Sequence, residues 1–244
     1  MKIIYILWLS LLSSLNFSCN ESSINITNNE SNEDIVEENT NPEPTLNFKL
    51  LSLGDSYTIG ESVCESCRFP AQLKDSLQNN IDNSYFELQI IAQTGWTTTN
   101  LINAISNENL ESNFDLVTLL IGVNNQYQSK PFSVYEIEFP QLVETAIELA
   151  KGDKDKVIVV SIPDYAFTPF GNGNETISIE INQYNSFALG YCNYRDITFV
   201  NITDITRQGL QNPNLVANDN LHPSELAYTK FVERILPKAL DKLD

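Results

Sequence analysis

The chain has 244 residues, 42% of them hydrophobic, enough for one sizeable core with room for extensions. Its 32 acidic against 14 basic residues leave a formal charge of −18, and no Lys/Arg cluster breaks that balance. Binding to a phosphate backbone needs such a cluster, so the balance argues against nucleic acid as a partner.

The first stretch, "MKIIYILWLSLLSSLNFSC", carries Lys2, an apolar run from Ile3 to Leu12, small residues and Cys19. That is the layout of a secretory signal over residues 1–19, with an apolar run shorter than the usual length of a spanning helix. Cys19 resembles the lipidation site of bacterial lipoproteins, with Asn16 where a leucine is usual and Leu15 one step further away. The resemblance implies a membrane anchor through lipid on Cys19, at the periplasmic or cell-surface side. Plain secretion and a retained anchor are the alternatives. Residues 20–45 hold seven acidic side chains before Thr45, no Lys, Arg or aromatic residue and no sustained period, and are expected to form an acidic flexible tether.

Residues 46–244 alternate strand-like and helix-like blocks. The expected strands are "FKLLSLGD", "FELQIIAQ", "DLVTLLIG", "KVIVVSIP" and "ITFVNIT", each a short apolar run ending in turn residues. Between them, helical patterns are expected over 69–81, opened by Pro70, then 100–105, 140–150 and 179–189. A final helix is expected over 223–243, bent or ended by Pro237. Near-continuous apolar strands alternating with helices imply a parallel sheet covered on both faces. In such sheets ligands bind beyond the carboxyl ends of the strands.

The residues just beyond each strand are therefore the candidates for chemistry. The first strand leads into Ser56 in "LGDSYTIG", the second into Gly95 in "AQTGWTT" and the third into Asn124 in "LIGVNNQ". "NDNLHPSE", with Asp219 and His222, precedes the last helix. Together these four blocks resemble the SGNH hydrolases, also called the GDSL esterase/lipase family, over nearly the whole span from Phe48 to Leu240. The resemblance implies a three-layer α/β/α, flavodoxin-like fold on a five-stranded parallel sheet, and a catalytic triad of Ser56, Asp219 and His222. It also implies three oxyanion-hole donors: the backbone N–H groups of Ser56 and Gly95 and the side-chain amide of Asn124.

The residue types suit acyl transfer. A serine hydroxyl needs a base to become nucleophilic. His222 is the only histidine, so no other side chain competes for that role. In the implied triad Asp219 orients the imidazole. Gly95 lets a substrate approach the backbone closely. Where the family has an aspartate after the asparagine, this chain has Asn125, which leaves that aspartate's structural role open.

Cys64 and Cys67 are candidates for a small-loop disulfide in an exported protein, with Cys192 left unpaired. Zinc would need more ligands than one histidine allows, there is no Gly-rich phosphate loop, and no cofactor or metal is expected. The loops at the active edge supply Tyr127, Phe132, Tyr165, Phe167 and Phe170. Tyr57, Tyr127, Tyr165 and Phe167 are the candidate substrate contacts. The expected activity is a serine esterase, monomeric in its domain, acting on short-acyl or carbohydrate O-acyl esters of a small molecule or glycan. Lysophospholipase or thioesterase-like activity is the alternative within that class, and a non-catalytic surface lipoprotein that binds glycan or protein is the alternative outside it.

Overall fold

The structure is a computed structural model that describes residues 45–243. The signal segment, Cys19 and all but the last residue of the acidic segment lie outside the described residues. Five strands form one all-parallel sheet: β1 (Leu46–Gly54), β2 (Ser84–Ala92), β3 (Leu116–Leu120), β4 (Val157–Val160) and β5 (Thr198–Val200), in the order β2-β1-β3-β4-β5. Every residue of β3 and β4 is buried, as their unbroken apolar runs require for strands covered on both faces.

The sheet is flanked by helices α1 (Ser56–Ile59), α2 (Phe69–Asn80), α3 (Thr98–Asn107), α4 (Val123–Tyr127), α5 (Phe132–Leu149), α6 (Glu175–Arg195), α7 (Thr203–Thr206) and α8 (Glu225–Leu243). α2 packs against α8, while α3, α5 and α6 pack together, which gives a three-layer α/β/α fold. The chain leaves β1 toward β2 and then crosses back over β1 to β3, so a crevice opens between the carboxyl ends of β1 and β3.

Three helices depart from the sequence reading, each for a physical reason. α5 begins at Phe132, eight residues before its expected start, with Pro140 in its interior. The Pro ring removes the bond to the Glu136 carbonyl, but Glu136 faces solvent, which satisfies that carbonyl. The added turns are held by aromatic packing: Tyr135 lies 5.0 Å from Phe139 and 4.6 Å from Tyr184 between ring centroids. α8 likewise runs through Pro237, whose missing bond would have gone to exposed Glu233, and buries Ala239 beyond it. α6 is ten residues longer than the pattern suggests, because its inward face is Ile181, Tyr184, Ala188 and Cys192 rather than the exposed Ile179 and Leu189. Asn174 caps its start, accepting from the Thr176 N–H, and Asp196 ends it in a left-handed conformation.

The aromatic contacts of α5 predict that Tyr135→Ala lowers stability to urea unfolding by about 3–5 kcal/mol. Ile137→Ala, on the exposed side of the same helix, should change it by less than about 0.5 kcal/mol. Equal effects would contradict this orientation of the helix.

Candidate active site

The turn after β1 is crowded. A Cβ on Gly54 would lie 2.4 Å from the Leu120 carbonyl oxygen, so only glycine lets β1 pass β3 this closely. Asp55 then caps α1, its Oδ1 accepting from the Tyr57 N–H at 3.0 Å, and Ser56 opens the helix at the floor of the crevice. After β3, α4 carries Asn124 and Asn125.

Asp55 is completely buried, and burial pushes its carboxyl up to about 7, against the opposing effect of the Tyr57 N–H and the Asn124 side chain. The Asn124 side chain lies close enough to act on this carboxyl, yet neither Asp55 Oδ2 nor Asn124 Nδ2, both buried, makes a hydrogen bond of normal geometry. Unpaired buried polar atoms are expensive, and two of them side by side mark a site held away from its stability optimum.

On the other side of the crevice, Gly95 adopts φ +84°, a conformation other residues rarely hold. A Cβ there would meet nothing within 4 Å, so the position faces open space. Gln128 Nε2 donates to the Gly95 carbonyl at 2.8 Å, tying this turn to the end of α4. Among the described residues, the backbone N–H groups of Ser56 and Gly95 have no acceptor.

The "NDNLH" segment organises itself around one carboxylate. Asp219 Oδ1 accepts from the backbone N–H groups of Leu221 at 2.9 Å and His222 at 3.0 Å, a local turn that explains the three-residue spacing. Its Oδ2 faces His222 Nδ1 at 2.5 Å and accepts from Ser62 Oγ at 2.7 Å. Partial burial works to raise the Asp219 carboxyl, but Ser62, the His222 ring and the two N–H groups outweigh it and hold the carboxyl well below the usual range. An ionised carboxylate only accepts, so Nδ1 carries the proton and Nε2 of the neutral ring is left as a free acceptor. The Tyr57 ring backs the imidazole at 5.2 Å between centroids.

One cleft gathers these groups: Ser56, Tyr57, Thr94, Gly95, Asn124, Tyr127, Tyr165, Phe170, Leu221 and His222 line it, with Val123. Phe167, expected among the contacts, is not there. It closes the short turn Tyr165–Phe167, where successive side chains diverge by about a third of a turn, so Tyr165 points in and Phe167 does not. Phe170 stands in its place, and Phe132 packs instead on Tyr184 at 4.9 Å. Thr94, Leu221 and Ser62 carry no signal in the sequence that would have singled them out. Cys64 and Cys67 are joined by a disulfide, and Cys192 is free and buried.

Asn125 answers for the aspartate expected in its place. Its Oδ1 accepts from the Thr98 N–H at 2.9 Å and its Nδ2 donates to Thr98 Oγ1 at 2.6 Å, while that hydroxyl donates to Glu138. An aspartate would need the hydroxyl for itself, so the amide and Glu138 belong together.

The model of the GDSL-like lipase/acylhydrolase family matches residues 52–230. No curated protein matches the chain. Among solved structures, a lipase from a goat rumen metagenome is 19% identical with a TM-score of 0.66, covering 81% of this chain and 100% of that one. An acetylxylan esterase from Geobacillus stearothermophilus is 20% identical with a TM-score of 0.64, over 80% and 95% of the two chains. A lipase/acylhydrolase from Enterococcus faecalis is 18% identical with a TM-score of 0.63, over 81% and 97%. At these identities the likeness is one of fold.

Burial of Asp55 has a pH signature. Its folded carboxyl titrates near 7 and its unfolded one near 3.8, so the folded state holds an extra proton between those values and stability falls as pH rises through them. Asp55→Asn keeps the Oδ1 cap and removes the charge. Its gain in urea stability over the wild type should therefore grow from pH 4 to pH 7, approaching about 4 kcal/mol, and then level off. A gain independent of pH would show that Asp55 is not desolvated as described.

Proposed function

We propose, from the premise that this chain belongs to the GDSL-like lipase/acylhydrolase family, that it is a serine esterase working through an acyl-enzyme on Ser56. The observation that carries this reading is the convergence on one cleft of Ser56, of His222 with Nδ1 on Asp219, and of three donors without acceptors. A turn or a binding surface has no need of all of them.

In this reading the Ser56 hydroxyl attacks the ester carbonyl as His222 Nε2 takes its proton. Asp219 holds the ring and stabilises the imidazolium that forms. The negative charge on the carbonyl oxygen is met by the N–H groups of Ser56 and Gly95 and by Asn124 Nδ2, whose missing partners in the free protein leave them ready for it. Such a donor is typically worth about 10²–10³ in turnover. His222 then returns the proton to the leaving alcohol, and a water activated by the same nitrogen releases the acid and regenerates Ser56.

The cleft favours a small acyl group. Its volume of about 190 Å³ is below the ~300–1,000 Å³ usual for pockets that swallow drug-sized ligands. Tyr127, Tyr165 and Phe170 form one wall, with ring centroids 6.0–6.3 Å apart, and Tyr165 is anchored by donating its hydroxyl to Gln126 at 2.8 Å. Tyr127 and Phe170 are half exposed at the mouth, where a sugar ring or other alcohol portion has aromatic faces to rest on. The fold likeness to an acetylxylan esterase accords with a short-acyl, carbohydrate-type ester.

Ser56→Ala should cut ester hydrolysis by at least about 10³-fold and abolish labelling by a fluorophosphonate probe, with the unfolding midpoint unchanged. An unchanged rate would sink the mechanism. Among nitrophenyl esters the acetyl and butyryl compounds should be turned over faster than long-chain ones. The reverse order would replace the short-acyl reading by a lysophospholipase or thioesterase-like one.

A further inference from the structure

The segment between α1 and α2 is anchored at both ends. The Gly60 and Glu61 N–H groups both donate to the Ser56 carbonyl at 3.0 Å, and the Cys67 carbonyl accepts from Gln72 Nε2 at 2.5 Å. A disulfide between Cys64 and Cys67 closes its middle. Two adjacent side chains that precede the Cys64–Cys67 ring reach two different parts of the site. Glu61 accepts from the hydroxyl of Thr94, the neighbour of Gly95, and Ser62 donates to Asp219 Oδ2 at 2.7 Å.

Ser62 is exposed and holds φ +68°, a conformation that a serine adopts at some cost unless its surroundings fix it. The tie to Asp219 spans 157 positions of sequence and lands on the oxygen that also faces His222 Nδ1. Two donors on one carboxylate oxygen share its charge. Each therefore limits how strongly the other is held.

We propose that Ser62 is a positioning residue for the Asp219–His222 pair, presented by the loop between α1 and α2 and setting how strongly Asp219 draws the proton of the imidazole. The kinetic side of this rests on the esterase reading; the hydrogen bond itself does not. Removing the hydroxyl leaves more of the carboxylate charge for the imidazolium, so His222 should hold its proton to higher pH. Tyr57 and Tyr228 both interact with Asp219, and the other ionisable groups that act on them are Asp55, Tyr165 and Glu61, none of which is changed by substitution at position 62. Asp55, which titrates near 7, perturbs wild type and variants alike.

Because His222 is the only histidine, its ring titration can be followed by NMR in the whole protein without ambiguity. Ser62→Ala removes the hydroxyl at the same backbone strain, and Ser62→Gly removes it while relieving that strain. Both should move the titration midpoint of the ring up relative to wild type. The acid limb of kcat for nitrophenyl acetate should follow by the same amount with KM unchanged. Should the alanine variant fold poorly, the glycine variant carries the comparison. A midpoint that stays put in the glycine variant, or a shift confined to the alanine variant, overturns the proposal and assigns position 62 a purely backbone role. A midpoint that shifts in a protein without ester turnover would uphold the positioning role and reject the esterase reading.

Discussion

One carboxylate holds the site together. Asp219 gathers two backbone N–H groups of its own turn on one oxygen, and the imidazole of His222 and the hydroxyl of Ser62 on the other. The first pair closes "DNLH" into a compact turn. The second pair connects that turn to the cleft and to the loop after α1. With the carboxylate held ionised, the tautomer of His222 is set, and with it the side of the ring free to take a proton. The turn is itself pinned: the His222 carbonyl accepts from Ala217 N–H at 2.7 Å, and Phe170 N–H donates to the Asn220 carbonyl at 3.0 Å. The turn that carries the proposed base is thereby tied to the loop that carries Phe170 of the aromatic wall.

The sheet supplies the opposite requirement, a place where strand ends diverge. Reversal of strand order between β1 and β3 sets Ser56 and Asn124 on neighbouring strand ends without any contact having to be designed for it. Around them the structure departs from what stability alone would select. Asp55 is buried without full hydrogen bonding, and Asn124 Nδ2 has no acceptor. The core beneath, from Leu51 and Leu53 through Leu119 and Val159, is fully buried and absorbs these local losses.

Much of the fold and the site is readable in the residues. Unbroken apolar runs identify β3 and β4 because both faces are covered, and the strand-end rule then points to Ser56, Gly95 and Asn124. His222 is identified by being alone. Helix extents are less readable where tertiary packing overrides a local rule: Pro140 and Pro237 look like boundaries, yet solvent satisfies the carbonyls they leave and aromatic or apolar contacts hold the helix on both sides. The expected helix over 179–189 stops short at both ends because the buried residues of α6, Ile181, Tyr184, Ala188 and Cys192, are interleaved with polar ones. Ser62 is invisible to sequence reasoning, since its partner lies 157 positions away and nothing about an exposed serine in "GESVC" announces it. Phe167 and Phe170 are not told apart either, because composition places aromatics on a loop without telling which way a three-residue turn aims them.

The direction of a single proton decides whether His222 can act as the base. Nitrogen-15 NMR of the His222 imidazole in the full chain, at a pH where the ring is neutral, reads that proton directly. A protonated Nδ1 and a bare Nε2 are predicted, with Asp219 as the acceptor. A ring carrying its proton on Nε2 would contradict the arrangement, because the nitrogen proposed to receive the Ser56 proton would already be occupied.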